Sequence, residues 1–386
     1  MKLLHIADLH IGKRVYEFSM IEQQKNILDC ILKIIDDQKP QAVLLAGDIY
    51  DKNIPSAEAV ELYDDFLTGL SERSVQTFVI SGNHDSGERI SFGSRIMKKG
   101  NIFIDGIYSG DITSHAISDE FGEVCIWLLP FVKPAMVRPY FESQNIDSYE
   151  QAVTFILNQA KIDTDKRNVL LAHQFVTAAG KEPERSESEI ISVGTVDNVD
   201  FSIFNKFDYV ALGHIHRPQS IGRDTVRYAG SILKYSFSEA KHQKSVTMIE
   251  LLEKGKILLD QIPLTAPKDL REIKGNLEDL IKYEAYRDAD REDYLSVVLT
   301  DEEGYIDPIG KLRTVYPNIM RLSFENSKTG KELVYIGATV EEVTQKAPFV
   351  LFEEFFAVQN DRPMSEEQKR LMDEIFKEVM GGVGYL

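Results

Sequence analysis

The first hundred residues alternate between short apolar runs and amphipathic segments. We predict strands at residues 2–7, 42–46 and 77–80, because apolar runs of this length that end at breakers are typical of strands buried on both faces. Apolar residues recur at helical spacing in segments 17–37, 56–73 and 88–99, where Ser56 is a candidate N-cap. This alternation predicts βαβ units and a largely parallel sheet.

From Phe103 onward the pattern changes to short strands joined by longer loops. We predict strands at residues 124–129, 169–173, 209–212, 226–228, 246–251 and 257–262, and a helix at 148–162. Segment 180–189 is rich in charge and is expected to be a mobile loop rather than a packed one.

Pro267 looks like a boundary between structural units. After it, the pattern predicts helices at 277–286 and 308–315 and strands at 294–299 and 319–324, which is a small α/β module. Residues 339–380 are predicted to be helical, with Ser365 capping an amphipathic segment whose apolar face holds Leu371, Met372, Ile375, Phe376 and Val379. We therefore predict three parts: a core domain at 1–266, a capping domain at 267–337 and a helical tail at 338–386.

Composition and charge narrow the class of protein. The 386 residues carry a formal net charge of -18, which argues against a protein that coats nucleic acid by bulk charge. The two cysteines cannot build a disulfide framework, so a reducing cytoplasm is expected. The first residues resemble a strand and not a signal peptide, and no apolar run approaches membrane-spanning length, so no membrane association is expected.

Candidate chemistry is concentrated at the ends of the predicted strands. Five of the eight histidines lie in five short motifs that follow apolar runs, namely Asp8-Leu9-His10, Gly47-Asp48, Gly82-Asn83-His84-Asp85, Ala172-His173 and Gly213-His214-Ile215-His216. Because parallel strands bring their carboxyl ends to one edge, we expect these motifs to meet.

Carboxylate, amide and imidazole ligands suit divalent metals such as manganese, iron or zinc. We predict that Asp48 bridges two metal ions, and that the residues spaced by two in Asp8-x-His10 and His214-x-His216 point the same way on an extended backbone. Taken singly, each motif has a plainer reading: Gly47-Asp48 as a turn, and His173 as a buried core histidine. The combination of all five favours the metal site.

These motifs resemble the pattern of the calcineurin-like metallophosphoesterase superfamily, and Arg217 and Tyr228-Ala229-Gly230-Ser231 extend the likeness. The resemblance implies that Asp8, His10, Asp48 and His216 hold one metal ion and that Asp48, Asn83, His173 and His214 hold the other. It implies manganese as the metal. It also implies that His84 faces the scissile phosphate without binding metal. Asp51 is given a supporting catalytic role, orienting His84 or a backbone turn.

Two departures from the phosphatase pattern, Lys52-Asn53 after Asp51 and Asp85 after His84, point to the nuclease and phosphodiesterase branches. The resemblance then implies a four-layer αββα sandwich with a small α/β capping domain and a helical tail. It implies an exonuclease on double-stranded DNA ends that also cleaves single strands and hairpins. Candidate DNA contacts are Lys13, Arg14, Lys52, Arg89 and Arg217, although each is equally well an ordinary solvated charge.

The resemblance also implies partners. An ATPase subunit would bind the apolar face of the tail, and a second copy of the chain would bind the helices at 56–73 and 88–99. Two alternatives stay open at this point: a phosphodiesterase for small phosphoesters, and a non-catalytic scaffold of a DNA-repair assembly.

Overall fold

A computed structural model of the chain describes residues 1–141, 145–189, 197–302, 306–325, 333–335, 352–353, 356 and 364–379. Its first sheet has six strands. In spatial order they are β16 (Ile257–Pro263), β15 (Ser245–Leu251), β1 (Lys2–Ile6), β4 (Ala42–Ala46), β5 (Gln76–Ile80) and β6 (Ile102–Asp105). Neighbours from β1 to β6 are parallel, and β15 and β16 add antiparallel strands beyond β1.

The second sheet also has six strands. In spatial order they are β13 (Gln219–Ile221), β14 (Arg223–Tyr228), β12 (Tyr209–Gly213), β9 (Arg167–His173), β8 (Gly122–Leu129) and β7 (Thr113–Asp119). The four central strands are parallel, and β13 and β7 pair antiparallel at the two edges.

Period-two alternation sorts the apolar side chains into layers. Leu3 and Leu44 belong to the core between the two sheets, whereas their neighbours Leu4 and Val43 belong to the core under the helices of the first sheet. Because the central strands are buried on both faces, they are apolar at nearly every position. The two sheets pack face to face with helices outside each of them, which gives the four-layer αββα sandwich.

Helices cover both outer faces of the sandwich. The α-helices of the described residues are α1 (Ile21–Gln38), α2 (Ala57–Glu72), α3 (Gly87–Ile90), α4 (Ser94–Met97), α5 (Pro134–Val137), α6 (Tyr149–Gln159), α7 (Leu277–Leu280), α8 (Tyr283–Tyr286), α9 (Pro308–Arg313) and α10 (Glu366–Val379). The short strands β2 (Arg14–Val15) and β3 (Phe18–Ser19) form a hairpin, and β10 (Val176–Thr177) pairs with β11 (Val199–Asp200). Ser56 and Ser148 cap α2 and α6 as predicted.

Three predicted helices differ from the structure. The helix predicted at 88–99 is two single turns, because Gly93 adopts a left-handed φ of 74° between them. The helix predicted at 277–286 is likewise split into α7 and α8. The helix predicted from residue 17 begins at Ile21, because the hairpin of β2 and β3 occupies the preceding residues.

A third sheet follows the sandwich. It contains β17 (Leu270–Gly275), β18 (Tyr294–Leu299), β19 (Ile319–Phe324) and β20 (Leu333–Tyr335), with α7 and α9 packed on its apolar core. Leu270, Tyr294 and Met320 join the core of the first sheet, so this module is attached by apolar contact.

The tail is described only in part. Ser365 accepts a hydrogen bond from the Gln368 amide and its own amide donates to the Gln368 side chain, so α10 begins with a reciprocal cap. The predicted helical segment between β20 and residue 364 lies almost wholly outside the described residues, as do the side chains of Phe376 and Val379. Within the described part of the chain, none of the helices is both long and apolar enough to cross a bilayer.

Candidate metal centre

The five motifs meet at one edge where the two sheets face each other. Asp8, Asp48 and Asn83 follow β1, β4 and β5 of the first sheet, and His173 and His214 lie at the ends of β9 and β12 of the second. Hydrogen bonds join the two sets directly, since the His214 amide donates to Asp8 Oδ1 at 2.9 Å. Both sheets are therefore needed to build the site.

One group of candidate ligands surrounds His10. Asp8, His10 and His216 each offer an atom within 4.8 Å of the others, and the Nε2 atoms of His10 and His216 are 3.0 Å apart. Asp8 Oδ2 is buried and has no hydrogen-bond partner among the described residues. A buried carboxylate oxygen without a partner is costly, and two imidazole nitrogens facing each other suit adjacent positions on one cation. These residues fit a divalent metal.

A second group surrounds Asn83. Its Oδ1 lies 3.0 Å from His173 Nε2 and 2.8 Å from His214 Nδ1. His173 donates its other ring nitrogen, Nδ1, to the Ala46 carbonyl at 2.8 Å. That bond leaves Nε2 as the ring nitrogen where a metal could replace the second proton.

Asp48 lies between the two groups. Its Oδ2 is 3.3 Å from His173 Nε2 and 3.7 Å from His10 Nε2, while Oδ1 accepts the His84 amide at 2.9 Å. One carboxylate oxygen thus faces a ligand from each group. Asp48 could therefore contribute to a metal site in either group.

The backbone at the motifs is not extended, which contradicts the reasoning from the spacing of two. Asp8, His10, Asp48 and His214 have φ values of 53°, 45°, 50° and 103°. Non-glycine residues rarely adopt these conformations, and they cluster where surrounding structure enforces them. The side chains of Asp8 and His10 converge because the chain turns left-handed after β1.

Two glycines make the close approach of the sheets feasible. Gly47 has a φ of 85°, and a Cβ there would lie 2.8 Å from His173 Cγ and 2.9 Å from Gly82 Cα. A Cβ on Gly213 would lie 2.7 Å from His173 Nδ1 and closer still to the Ala46 carbonyl oxygen that accepts from His173. A larger residue at either position would displace the His173 ring or the backbone that holds it.

The charges of the buried groups depend on one another. Burial and the nearby Asp48 carboxylate raise the pKa of Asp8. Although burial opposes it, the charge of Asp48 raises the pKa of His173 to about 9. Burial and the charge of His173 lower the pKa of His214 to about 3. Acids and imidazoles held this close, in a dry setting, are best satisfied by a shared cation.

His84 is held beside this site by the backbone. Its Nδ1 lies 2.8 Å from the Asp51 carbonyl oxygen and donates to it, which leaves Nε2 free. The Asp51 carboxylate instead pairs with Lys13 at 2.7 Å, so any orienting effect of Asp51 on His84 comes through its carbonyl. His84 also has an atom within 4.8 Å of ligand atoms of His10 and Asp48.

Asp85 organises the loop that carries Asn83 and His84. Its carboxylate accepts the amides of Gly82 at 2.9 Å, Ile49 at 3.1 Å and Tyr50 at 2.9 Å. Burial and the charge of Asp48 raise the pKa of Asp85 to about 6, although the three amide hydrogen bonds favour its ionised form. The two loops that follow β4 and β5 are thereby joined.

The candidate DNA contacts fall into two sets. Lys13, Arg14 and Arg217 form ion pairs with Asp51, Glu17 and Glu184 respectively. Lys52 and Arg89 are exposed and have no ion pair within the described residues. The second set is therefore the more available to a phosphate.

The segment predicted to be a mobile loop is partly packed into the site. Ser186 and Glu189 are buried, and Glu189 Oε1 accepts the His216 amide at 2.8 Å. Ser188 Oγ lies 2.7 Å from His216 Nδ1. These contacts could not be predicted from the charge-rich sequence of the segment, because their partners lie far away in sequence.

The comparisons with known proteins agree with this geometry. Residues 1–218 match the family model described as calcineurin-like phosphoesterase. The chain belongs to the calcineurin-like phosphoesterase family. Residues 266–360 match a second model, described as type 5 capsule protein repressor C-terminal domain. With its family and its ligand groups taken together, the chain has a site for two metal ions.

Two curated relatives cover most of the chain. One, from Staphylococcus epidermidis, is 33% identical over 95% of this chain and 96% of its own length and is named as the D component of the nuclease SbcCD. Another of that name, from Staphylococcus saprophyticus, is 34% identical over 84% of each chain. Among solved structures, a dimetal phosphatase from Danio rerio has a TM-score of 0.41 and 12% identity over 69% of this chain and 98% of that one. The family assignment rests on the sequence matches.

Proposed function

We propose that the chain is a metal-dependent DNA nuclease that hydrolyses phosphodiesters at a pair of Mn²⁺ ions. The observation that carries the proposal is the position of Asp48 Oδ2, which is 3.3 Å from His173 Nε2 and 3.7 Å from His10 Nε2. The relatives, which are named as components of the nuclease SbcCD, support DNA as the substrate. Mixed oxygen and imidazole ligands suit manganese.

The placement of the residues supports the following proposed roles. Asp8, His10, Asp48 and His216 would hold one ion, and Asp48, Asn83, His173 and His214 would hold the other. The ions supply Lewis-acid stabilisation of an in-line displacement at phosphorus. His84, held through Nδ1–H by the Asp51 carbonyl, would act in its doubly protonated form, giving the Nε2 proton to the leaving sugar oxygen and becoming the neutral imidazole.

A nuclease assay tests the proposal. We expect Mn²⁺-dependent cleavage of linear double-stranded DNA from its ends and of hairpin DNA. A cyclic nucleotide, offered at the same concentration, should turn over far more slowly. Preferred cleavage of the cyclic nucleotide would indicate a phosphodiesterase for small substrates, and a chain that binds no Mn²⁺ would indicate a scaffold.

The three-part organisation belongs to the same proposal. Residues 1–266 would hold the catalytic core, 267–337 a capping domain that recognises DNA, and 338–386 a tail that binds the partner. The match of a separate family model to residues 266–360 supports a boundary near Pro267. Limited proteolysis is expected to cut near this boundary or within the tail, with the core fragment retained.

The tail would bind an SbcC-type ATPase subunit. Leu371 and Ile375 lie four residues apart on α10 and are 58% and 42% exposed. Apolar side chains at this spacing form a stripe that fits a groove between partner helices. The variant Leu371→Asp/Ile375→Asp should fail to co-purify with the ATPase subunit and should keep Mn²⁺-dependent nuclease activity.

A homodimer would form through the core-domain helices. Val60 on α2, Phe92 next to α4 and Ile96 on α4 are 47%, 82% and 76% exposed. Large exposed apolar side chains are candidates for an interaction surface. Light scattering is expected to show a dimer for the natural chain and a monomer for Phe92→Asp/Ile96→Asp.

The cytoplasm is the proposed location. Cys30 and Cys125 are both unpaired, which suits a compartment where thiols stay reduced. Fractionation of cells that express a C-terminally tagged chain tests this expectation.

A further inference from the structure

His216 is held from several sides by side chains distant in sequence. Its amide donates to Glu189 Oε1 at 2.8 Å, and its carbonyl accepts Lys244 Nζ at 2.8 Å. Its ring Nδ1 meets Ser188 Oγ at 2.7 Å. Ser188 in turn donates to Glu239 Oε1 at 2.5 Å.

Behind these contacts lies a buried ion pair. Lys244 Nζ is 2.5 Å from Glu239 Oε2, and the two residues are 4% and 0% exposed. Lys244 Nζ also donates to Ser231 Oγ at 2.8 Å, so all three of its protons are used. A pair this deeply buried is expensive to desolvate and is weak evidence for a purely stabilising role.

The ion pair decides the direction of the hydrogen bonds. Glu239, ionised beside Lys244, accepts hydrogen bonds only. Ser188 has a single proton and gives it to Glu239, so its oxygen must accept from His216 Nδ1–H. The neutral His216 ring then carries no proton on Nε2, the atom that faces His10 Nε2 at 3.0 Å.

We propose that Ser188, Glu239 and Lys244 are positioning residues that fix the orientation and tautomer of His216, and thereby set the affinity of the metal ion held by Asp8, His10 and His216. The inference rests on the two-metal function proposed above.

The other half of the centre is supported differently. His173 donates Nδ1 to the Ala46 carbonyl, an atom of strand β4 that no side-chain substitution removes. The two ions should therefore respond differently to changes at Ser188. Groups that hold the far nitrogen of a metal-binding histidine typically affect metal affinity by about 10–100-fold.

The principal variant is Ser188→Ala, and Ser186→Ala is its matched control. Ser186 lies on the same segment and is buried, but its hydroxyl has no hydrogen-bond partner among the described residues. Calorimetric titration of the metal-free full chain with Mn²⁺ measures both sites. We expect Ser188→Ala to weaken one Mn²⁺ by about 10–100-fold and to leave the other unchanged. Ser186→Ala should match the natural chain.

A second variant addresses the buried pair. Removing one charge leaves the other buried without a partner and destabilises the fold. Removing both charges together often changes the free energy of unfolding little. Glu239→Gln/Lys244→Met should therefore stay folded and lose affinity for the same Mn²⁺ as Ser188→Ala. At the Mn²⁺ concentration that just saturates the natural chain, electron paramagnetic resonance should show an exchange-coupled pair in the natural chain and an isolated ion in both variants.

The outcomes separate the two proposals. Unchanged affinity at both sites in Ser188→Ala, or equal weakening of both, overturns the positioning role while the natural chain still binds two ions and cleaves DNA. A natural chain that binds Mn²⁺ pairs without cleaving DNA overturns the nuclease function and leaves the positioning role intact. A natural chain that binds no Mn²⁺ overturns both.

Discussion

His84→Ala gives the sharpest test of how the site works. The His84 ring is anchored by its Nδ1 to the Asp51 carbonyl at 2.8 Å and packs edge-on against His10, with ring centroids 4.8 Å apart. Only Nε2 remains for the substrate. If that atom protonates the leaving oxygen, its removal should lower kcat on DNA by about 10²–10⁴-fold. At 1.36 kcal/mol for each factor of ten, this is about 2.7–5.4 kcal/mol of barrier.

The leaving group discriminates between a proton donor and other roles. DNA releases a sugar alkoxide, which needs a proton, whereas bis(p-nitrophenyl) phosphate releases a stable phenolate that does not. We expect His84→Ala to lose far more activity on DNA than on the phenyl ester, with Mn²⁺ binding unchanged. His115→Ala, a half-buried histidine in the second sheet, is the control and should behave like the natural chain.

Two results would refute this reasoning. Equal losses on both substrates would mean that His84 does not donate the proton. Loss of one Mn²⁺ would mean that His84 is itself a ligand, a role that its closeness to His10 and Asp48 leaves geometrically accessible.

Three other changes test the centre and its scaffold. Asp48→Asn removes the charge that faces both ligand groups, so metal analysis after dialysis should find both ions depleted, and loss of one ion alone would contradict bridging. Gly213→Ala crowds His173 and should weaken Mn²⁺ binding in calorimetric titration, whereas Gly255→Ala, whose Cβ meets open space, should cost only backbone strain. Arg167 donates hydrogen bonds to the Asp119 carboxylate, and this interaction lowers the pKa of Asp119 below its unfolded value. The effect outweighs that of burial, which raises the pKa. The stabilisation is therefore present above about pH 4 and is lost on acidification, so Asp119→Asn should lower the unfolding temperature at pH 7, in chelator, more than at pH 3. A constant difference across that range would contradict the linkage.

The buried parallel strands were predictable from sequence because burial on both faces makes them continuous apolar runs. The limits of β4, β18 and β19 agree with the prediction at both ends. The edge strand β7 was not predicted, because it is largely exposed and its sequence is mostly polar, whereas the edge strand β16 was predicted at 257–262. β17 was not predicted either, because only Leu270 and Ile273 of its six residues are large and apolar.

The candidate metal ligands were predictable as residue types at strand ends, but their geometry was not. The left-handed backbone of Asp8 and His10 depends on contacts made after the strands assemble, and local spacing does not encode it. The local sequence gives no sign of the ion pair between Glu239 and Lys244 either. The pair matters because of its hydrogen bonds to Ser188 and His216, which come from other parts of the chain. The prediction of a mobile segment at 180–189 was wrong in its second half for that reason.

The contribution of both sheets to one metal centre has a consequence for the cohesion of the protein. Ions bound there would link residues 8–84, from the first sheet, to residues 173–216, mostly from the second. Loss of the metal would therefore remove a link between the two sheets. Binding confined to the native state adds about 2.7 kcal/mol of stability when free metal is at one hundred times its dissociation constant. The melting temperature of the whole core should therefore rise with the logarithm of the Mn²⁺ concentration. In cells short of manganese the protein would be less stable as well as inactive.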